Sequence, residues 1–214
     1  MRAVYKRLPK WNYKGAELAL WHRDQQINDC GGCMDVQLAQ AAIEAVDLEQ
    51  KCLAKRAQMM TDGEVQAATQ CHALIKHIVE SYGVELPDMQ RSTLECRMAD
   101  PDLPSALKEL LAIRLQTSTT STSKYKSLMK GVSSDGRLRG TLQLCDASRT
   151  ARWAWRLFQP LNLSRTSIEQ DQIDEGIEAL KSECADLQFD NIIDLTSSAL
   201  RGCIRGPHGQ KAGG

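Results

Sequence analysis

Two groups of side chains in this sequence could carry chemistry. The first is Cys30-Gly31-Gly32-Cys33, which has the spacing of half a zinc knuckle or of a redox dithiol. A structural zinc site needs four ligands. No second Cys or His pair stands at two-to-four spacing, and His72 and His77 have only Cys71 beside them. A redox pair should open a helix after a strand, whereas this one falls in a Gly-Gly turn. The residues therefore admit a metal site, a redox pair or an ordinary turn, and the spacing rules favour the turn. The other cysteines are scattered; Cys52, Cys71 and Cys184 sit inside helical patterns and read as small buried hydrophobes.

The second group is basic. Residues 108–165 hold 11 basic and 3 acidic side chains, net +8, including Arg137, Arg139, Arg149, Arg152, Arg156 and Arg165. Arginine offers a planar fork of donors suited to phosphate and to base edges. A hydroxyl tract, Thr117 to Ser123, precedes the arginines and can donate to phosphate oxygens. Residues 166–200 reverse the sign, with 1 basic and 9 acidic side chains, and the whole chain is neutral. A polyanion-binding surface is one reading. A solvated face balanced by the acidic helix after it is the other. The acidic run Asp171 to Glu183 lies on a helix at spacings that do not converge, and reads as solvated.

The elements that must position these groups follow from periodicity and punctuation. Ala16 to about Ile27 reads as a first helix and Asn28 to Gly32 as a turn. Asp35 reads as the N-cap of a helix running to about Met60, stopped by Thr61-Asp62-Gly63. Thr69 can cap the next helix, with Gly83 as its C-cap. Loop signals at Leu86-Pro87-Asp88 and from Asp100 to Pro104 flank a short helix, and Ser105 to Gln116 forms another. Thr117 to Ser123 reads as a loop capping a helix from Lys124 to Gly131, because hydroxyls compete for helical backbone bonds. Ser133 to Arg137 reads as a hairpin turn and Leu138 to Cys145 as a strand. Ile168 to Leu187 reads as one acidic amphipathic helix, and Asp190 as the cap of a last one.

Composition bounds the class. The chain has 214 residues, 42% apolar and 25% charged, which excludes a wholly disordered polymer. Aromatics make up only 5%, so the core rests on Leu, Ile, Ala, Met and Val. No stretch reaches the ~18–20 apolar residues of a membrane span. The basic start lacks an apolar segment after it and does not read as a secretory signal; a cytoplasmic protein is expected. The expected fold is mainly α with a small β-hairpin (α+β): a helical region over 1–132, then a hairpin, an Arg-rich segment and two helices over 133–214.

Arg149-Thr150-Ala151-Arg152-Trp153, followed by Arg156-Leu157-Phe158-Gln159-Pro160-Leu161-Asn162-Leu163, resembles DNA polymerase family A, in particular its phage and prophage-type members. The family pattern there runs roughly R-T-G-R-W/F-A-G-R-L-x-Q-x-Q-N-L-P-R. Asp24 to Gly31 resembles D-x-x-I-N-x-R-G, Met34-Asp35 the V-D that starts a helix, and Ala68-Thr69-Gln70 the S-x-x-Q opening a thumb helix. Ser118 to Lys124 resembles S-K-T-S-x-x-K, and Asp135 to Gly140 the hairpin leading into the palm. The resemblance runs from about residue 17 to 210.

It implies a thumb and the start of a palm that hold primer-template DNA through phosphates and minor-groove acceptors common to all base pairs. On the family pattern, Arg152 falls on the arginine that reaches the minor groove, with Arg149 and Thr150 beside it. Asn162 falls on the asparagine that contacts the duplex or template, and Thr120, Ser121 and Lys124 on the thumb loop that touches the primer backbone. The chain departs from the pattern at Thr119, Ala151, Trp155, Leu161 and Ser164. A complete polymerase would use Mg²⁺ held by carboxylates, but D-[YF]-S-x-I-E and H-D-E do not occur in this sequence, and no R-x-x-x-K is closely followed by Y-G on one helix. The expectation is a polymerase fragment, truncated before its first catalytic carboxylates, with no cofactor and no catalytic residue of its own. It would bind double-stranded or primer-template DNA, and the missing palm-fingers portion is an expected partner. The alternative is a non-catalytic helical nucleic-acid-binding accessory protein, or a degraded prophage remnant.

Overall fold

The computed structural model describes residues 14–118, 122–144, 152–163, 166 and 168–206. Its described part is mainly helical with two small antiparallel sheets, the α+β class expected from composition. No helix among the described residues is long and apolar enough to cross a membrane.

Helix α1 (Ala16–Cys30) leads through Gly31 into strand β1 (Gly32–Met34), and α2 (Val36–Met60) follows at once. Asp35 caps α2 as expected, accepting from the Leu38 N–H at 3.0 Å. The 25 residues of α2 contain neither Gly nor Pro and so run unbroken for about 37 Å. Thr61 closes it, its hydroxyl donating to the Ala57 carbonyl at 2.8 Å and accepting from Val65 N–H at 3.2 Å. Helix α3 (Cys71–Tyr82) ends on a left-handed Gly83. Its N-cap is Gln70, with no side-chain cap, rather than Thr69.

Helices α4 (Arg91–Met98), α5 (Ser105–Thr117) and α6 (Thr122–Gly131) follow. The hydroxyl tract is more helical than expected. Thr117 stays inside α5 by donating back to the Ile113 and Arg114 carbonyls, and Thr122 and Ser123 already belong to α6. Satisfying a hydroxyl one turn back removes its competition with the helix.

The buried side chains form two clusters. One combines Leu38, Ala39 and Ala42 of α2 with Tyr125 and Leu128 of α6, Leu138, Phe158 and the apolar side of the last helices. The other gathers Val46, Leu53 and Ala57 from further along α2 with α3, α4 and α5, and takes Ile193 from far along the chain. Helix α2 therefore spans both, and the first cluster draws on residues before and after 132.

Strand β2 (Arg137–Leu138) and strand β5 (Ile204–Arg205) flank β1 in the antiparallel order β2-β1-β5, with Gly32 opposite Leu138 and Met34 opposite Ile204. The expected single strand from Leu138 to Cys145 is instead two. Gly140 at φ +65° turns the chain out of the first sheet, and β3 (Leu142–Gln143) then pairs with β4 (Ala154–Trp155) in the second. Cys145 lies outside the described residues. The turn before β2 is as expected: Gly136 N–H donates to the Ser133 carbonyl and Ser133 N–H to the Arg137 carbonyl, each at 2.9 Å.

The expected 168–187 helix is broken into α7 (Gln170–Lys181) and α8 (Ala185–Gln188). Cys184 N–H reaches the Ala179 carbonyl and Glu183 N–H the Leu180 carbonyl, with Glu183 at φ +57°. This is a Schellman stop built without glycine, so no punctuation residue announces it. The last helix, α9 (Ile192–Ala199), is capped by Asn191, which accepts from Asp194 N–H, rather than by Asp190.

The Gly-Gly turn reduces to one residue. Gly31 sits at φ +63°, and a Cβ there would lie 2.6 Å from the Leu138 carbonyl oxygen. Gly31→Ala is expected to cost roughly 2–4 kcal/mol, of which ~1–2 is the left-handed backbone and the rest displacement of β2. Urea unfolding with an unchanged slope and a lower midpoint is the readout.

Candidate nucleic-acid interface

The segment that carries the arginines is held by backbone contacts and one buried ring. Asn28, near the end of α1, grips Leu142 at both ends: its Nδ2 donates to the Leu142 carbonyl at 2.8 Å and its Oδ1 accepts from Leu142 N–H at 2.9 Å. This fixes β3 against α1. Strand β4 pairs with β3 through Leu142 opposite Trp155 and Gln143 opposite Ala154. Arg156 N–H then closes on the Thr141 carbonyl at 2.7 Å. Arg152 and Arg156, just outside the two ends of β4, are both exposed.

Past β4 the chain is anchored by Phe158, wholly buried in the first cluster. Its neighbours Leu157 and Gln159 sit at φ +60° and +48°, positions a non-glycine residue adopts only at a cost of order 1–3 kcal/mol. Burial of the ring offsets that cost and delivers the 3-10 turn Pro160–Asn162 to the side of α6. There Lys124 Nζ donates to the Asn162 carbonyl at 2.5 Å, and the Asn162 amide donates to Gln159 Oε1 at 3.3 Å. Two of the sequence-predicted site residues, 38 positions apart, are thus in contact. Arg152 is exposed with no side-chain partner among the described residues. Thr120, Ser121, Arg149 and Thr150 lie outside the described residues.

The charge map corrects part of the polyanion reading. Arg137 is spent on structure: its guanidinium donates to the Cys30 carbonyl at 2.6 Å and to the Gly31 carbonyl at 3.2 Å, tying β2 to the end of α1. Arg139 forms a two-pronged pair with Asp135 at 2.7 and 2.9 Å and also donates to the Asp29 carbonyl. The paired Arg139 guanidinium is chiefly what holds the Asp135 carboxyl down at about 2. Both arginines belong to the basic block for which a polyanion surface is one of the two readings of the sequence. The carbonyl partners of both arginines lie more than 100 positions away, and the Asp135 partner of Arg139, only four positions off, is brought round to it by the turn before β2. Lys126 is likewise engaged, with Asp47 at 3.4 Å, while Lys130 is exposed on the same helix.

Trp155, a departure from the family pattern, is half-buried and lines a 290 Å³ pocket with Ile27, Gly31, Leu138 and Leu142. Among the described residues no three His, Cys, Asp or Glu side chains converge to hold a metal ion. Cys30 and Cys33 are free thiols, and Cys33 lies in a strand rather than a turn. Cys203 is buried and its thiol is pushed up to about 12 by that burial, so it stays protonated and is no nucleophile.

Over 203 residues the sequence is 30% identical to a DNA polymerase of Bacillus phage SP02, an alignment that covers 94% of this chain. The chain is similar to a phage DNA polymerase. It spans 30% of that relative's length. No protein-family model matches the chain, and no solved structure matches it. The aligned length takes in nearly all of the chain, so the similarity is not confined to one motif.

Proposed function

We propose that this chain is the duplex-gripping portion of a family A DNA polymerase acting in the cytoplasm, with residues 1–132 as a thumb-like region and 133–214 as the first part of a palm. It binds primer-template DNA through phosphate and minor-groove contacts. Arg152, Arg149 and Thr150 meet the minor groove, Lys124, Thr120 and Ser121 the primer backbone, and Asn162 the duplex. The reading rests on the near full-length similarity to a phage DNA polymerase. The Lys124–Asn162 contact supports it, since it joins two of the transferred residues. The metal-binding carboxylate motifs of the family do not occur in this sequence, so the chain alone does not extend a primer, and Mg²⁺ enters only with a complete polymerase.

The test is binding of a fluorescein-labelled primer-template hairpin as a function of salt. Contact with three to five phosphates gives a slope of log K against log salt of about −3 to −4.5. Affinity should be nearly the same for unrelated duplex sequences. No binding at low salt, or a flat slope, removes the proposal.

A further inference from the structure

The acidic half of the chain builds a feature that a duplex grip does not use. Between α2 and the α7–α8 corner lies a groove of 270 Å³. Leu180 and Ile192 are apolar and buried in it, four carboxylates line it (Glu44, Glu49, Glu183 and Asp186), and no Lys, Arg or His does. Two leucines stand exposed at or beside it, Leu48 at 56% and Leu187 at 83%. An apolar patch rimmed by polar groups marks an interaction site, and here the rim has one sign.

That sign is not neutralised from within. Glu44 accepts from the neutral Gln40 amide. Arg56, the cation nearest in effect to Glu49, is paired with Glu109. Burial and then the charge of Asp186 push the Glu49 carboxyl up. Among the described residues Glu183 and Asp186 have no ion pair. Four like charges around apolar side chains are relieved by an occupant that brings cations and apolar surface together. Nucleic acid is excluded by its own charge. A second copy of this chain offers α6 as a basic helix, but its apolar face, Tyr125 and Leu128, is wholly buried in the core.

We propose that the groove docks an amphipathic helix of a partner protein, with apolar residues seated on the exposed Leu48 and Leu187 over a floor that includes Leu180 and Ile192, and flanking lysines or arginines facing Glu44, Glu49, Glu183 and Asp186. The recognition mode is helix-in-groove, with charge selecting the partner.

The probe is a labelled 14-residue helical peptide of Leu and Lys, set against a Leu and Glu peptide of the same apolar pattern, each titrated with the full chain by fluorescence anisotropy. The Leu–Lys peptide binds and the Leu–Glu peptide binds at least about tenfold more weakly. The double variant Glu183→Lys, Asp186→Lys, at exposed positions, reduces Leu–Lys binding by about tenfold, while the distant Asp62→Lys leaves it within about twofold. Amide shifts fall on residues 44–52 and 183–192. Binding that survives the double reversal, equal loss in Asp62→Lys, equal affinity of the Leu–Glu peptide, or shifts elsewhere overturns the proposal. So does self-association of the chain, or duplex binding, that the double reversal abolishes.

Discussion

Asp35→Ala is expected to remove about 3–5 kcal/mol of folding stability, the cost of breaking a buried ion pair from one side. Asp35 is 5% exposed. One of its oxygens caps α2 through Leu38 N–H, and the other takes Lys181 at 2.9 Å and the Arg205 guanidinium. The carboxylate therefore fastens the start of α2 to the end of α7 and to β5, and its loss strands two cations, one of them largely buried. Asp35→Asn separates the two contributions, because asparagine still caps; it should recover about 1 kcal/mol of the loss and no more. The pH dependence has a definite sign. Burial pushes the Asp35 carboxyl up, but the Leu38 N–H, Lys181 and Arg205 together outweigh it and the net shift is downward from 3.8. A depressed carboxylate stabilises the fold above its unfolded value and loses that contribution as pH falls through the folded one. Wild-type and Asp35→Ala unfolding curves should thus differ fully at neutral pH and converge only below about 3.8. A constant difference down to pH 2 would rule the ion network out as the cause.

Arg152→Ala is expected to weaken primer-template binding by about tenfold or more, since a charged hydrogen bond contributes roughly 1.5–3 kcal/mol. The loss should be equal for all duplex sequences, and the salt slope should fall by about one unit if the guanidinium also neutralises a phosphate. Arg139→Ala supplies the contrast. Its guanidinium is already committed to Asp135 and the Asp29 carbonyl, so affinity should stay within about twofold. Parallel titrations of the two variants decide the matter, and equal losses would show that diffuse charge, not the placement of Arg152, governs binding.

The local half of this fold was readable from the sequence. Asp35 as a cap, the unbroken run to Met60, the Thr61-Asp62-Gly63 stop and Gly83 are each set by residues within a few positions of one another. What escaped depends on distant partners. Strand β1 looks like a turn because its partners are Arg137–Leu138 and Ile204–Arg205, and strand character comes largely from neighbours across the sheet. The break after Lys181 escaped because Glu183 takes a conformation usually given to glycine. At the interface, composition located the arginines but could not sort them. Arg137 and Arg139 differ from Arg152 only in having carbonyls and a carboxylate within reach. Asn28, which clamps Leu142 across 114 positions, had no local signal beyond its place in the D-x-x-I-N pattern.

The order of strands in the first sheet has a consequence for how the protein is made. Its middle strand is complete by residue 34, one neighbour is added at 137–138, and the other only at 204–205. The cluster of α2 with α3 to α5 lacks only Ile193 once residue 113 has left the ribosome, so it can assemble while translation continues. Strand β1 must wait until residues 204–205 have been made, and until then one of its edges stays open to pairing with another nascent chain.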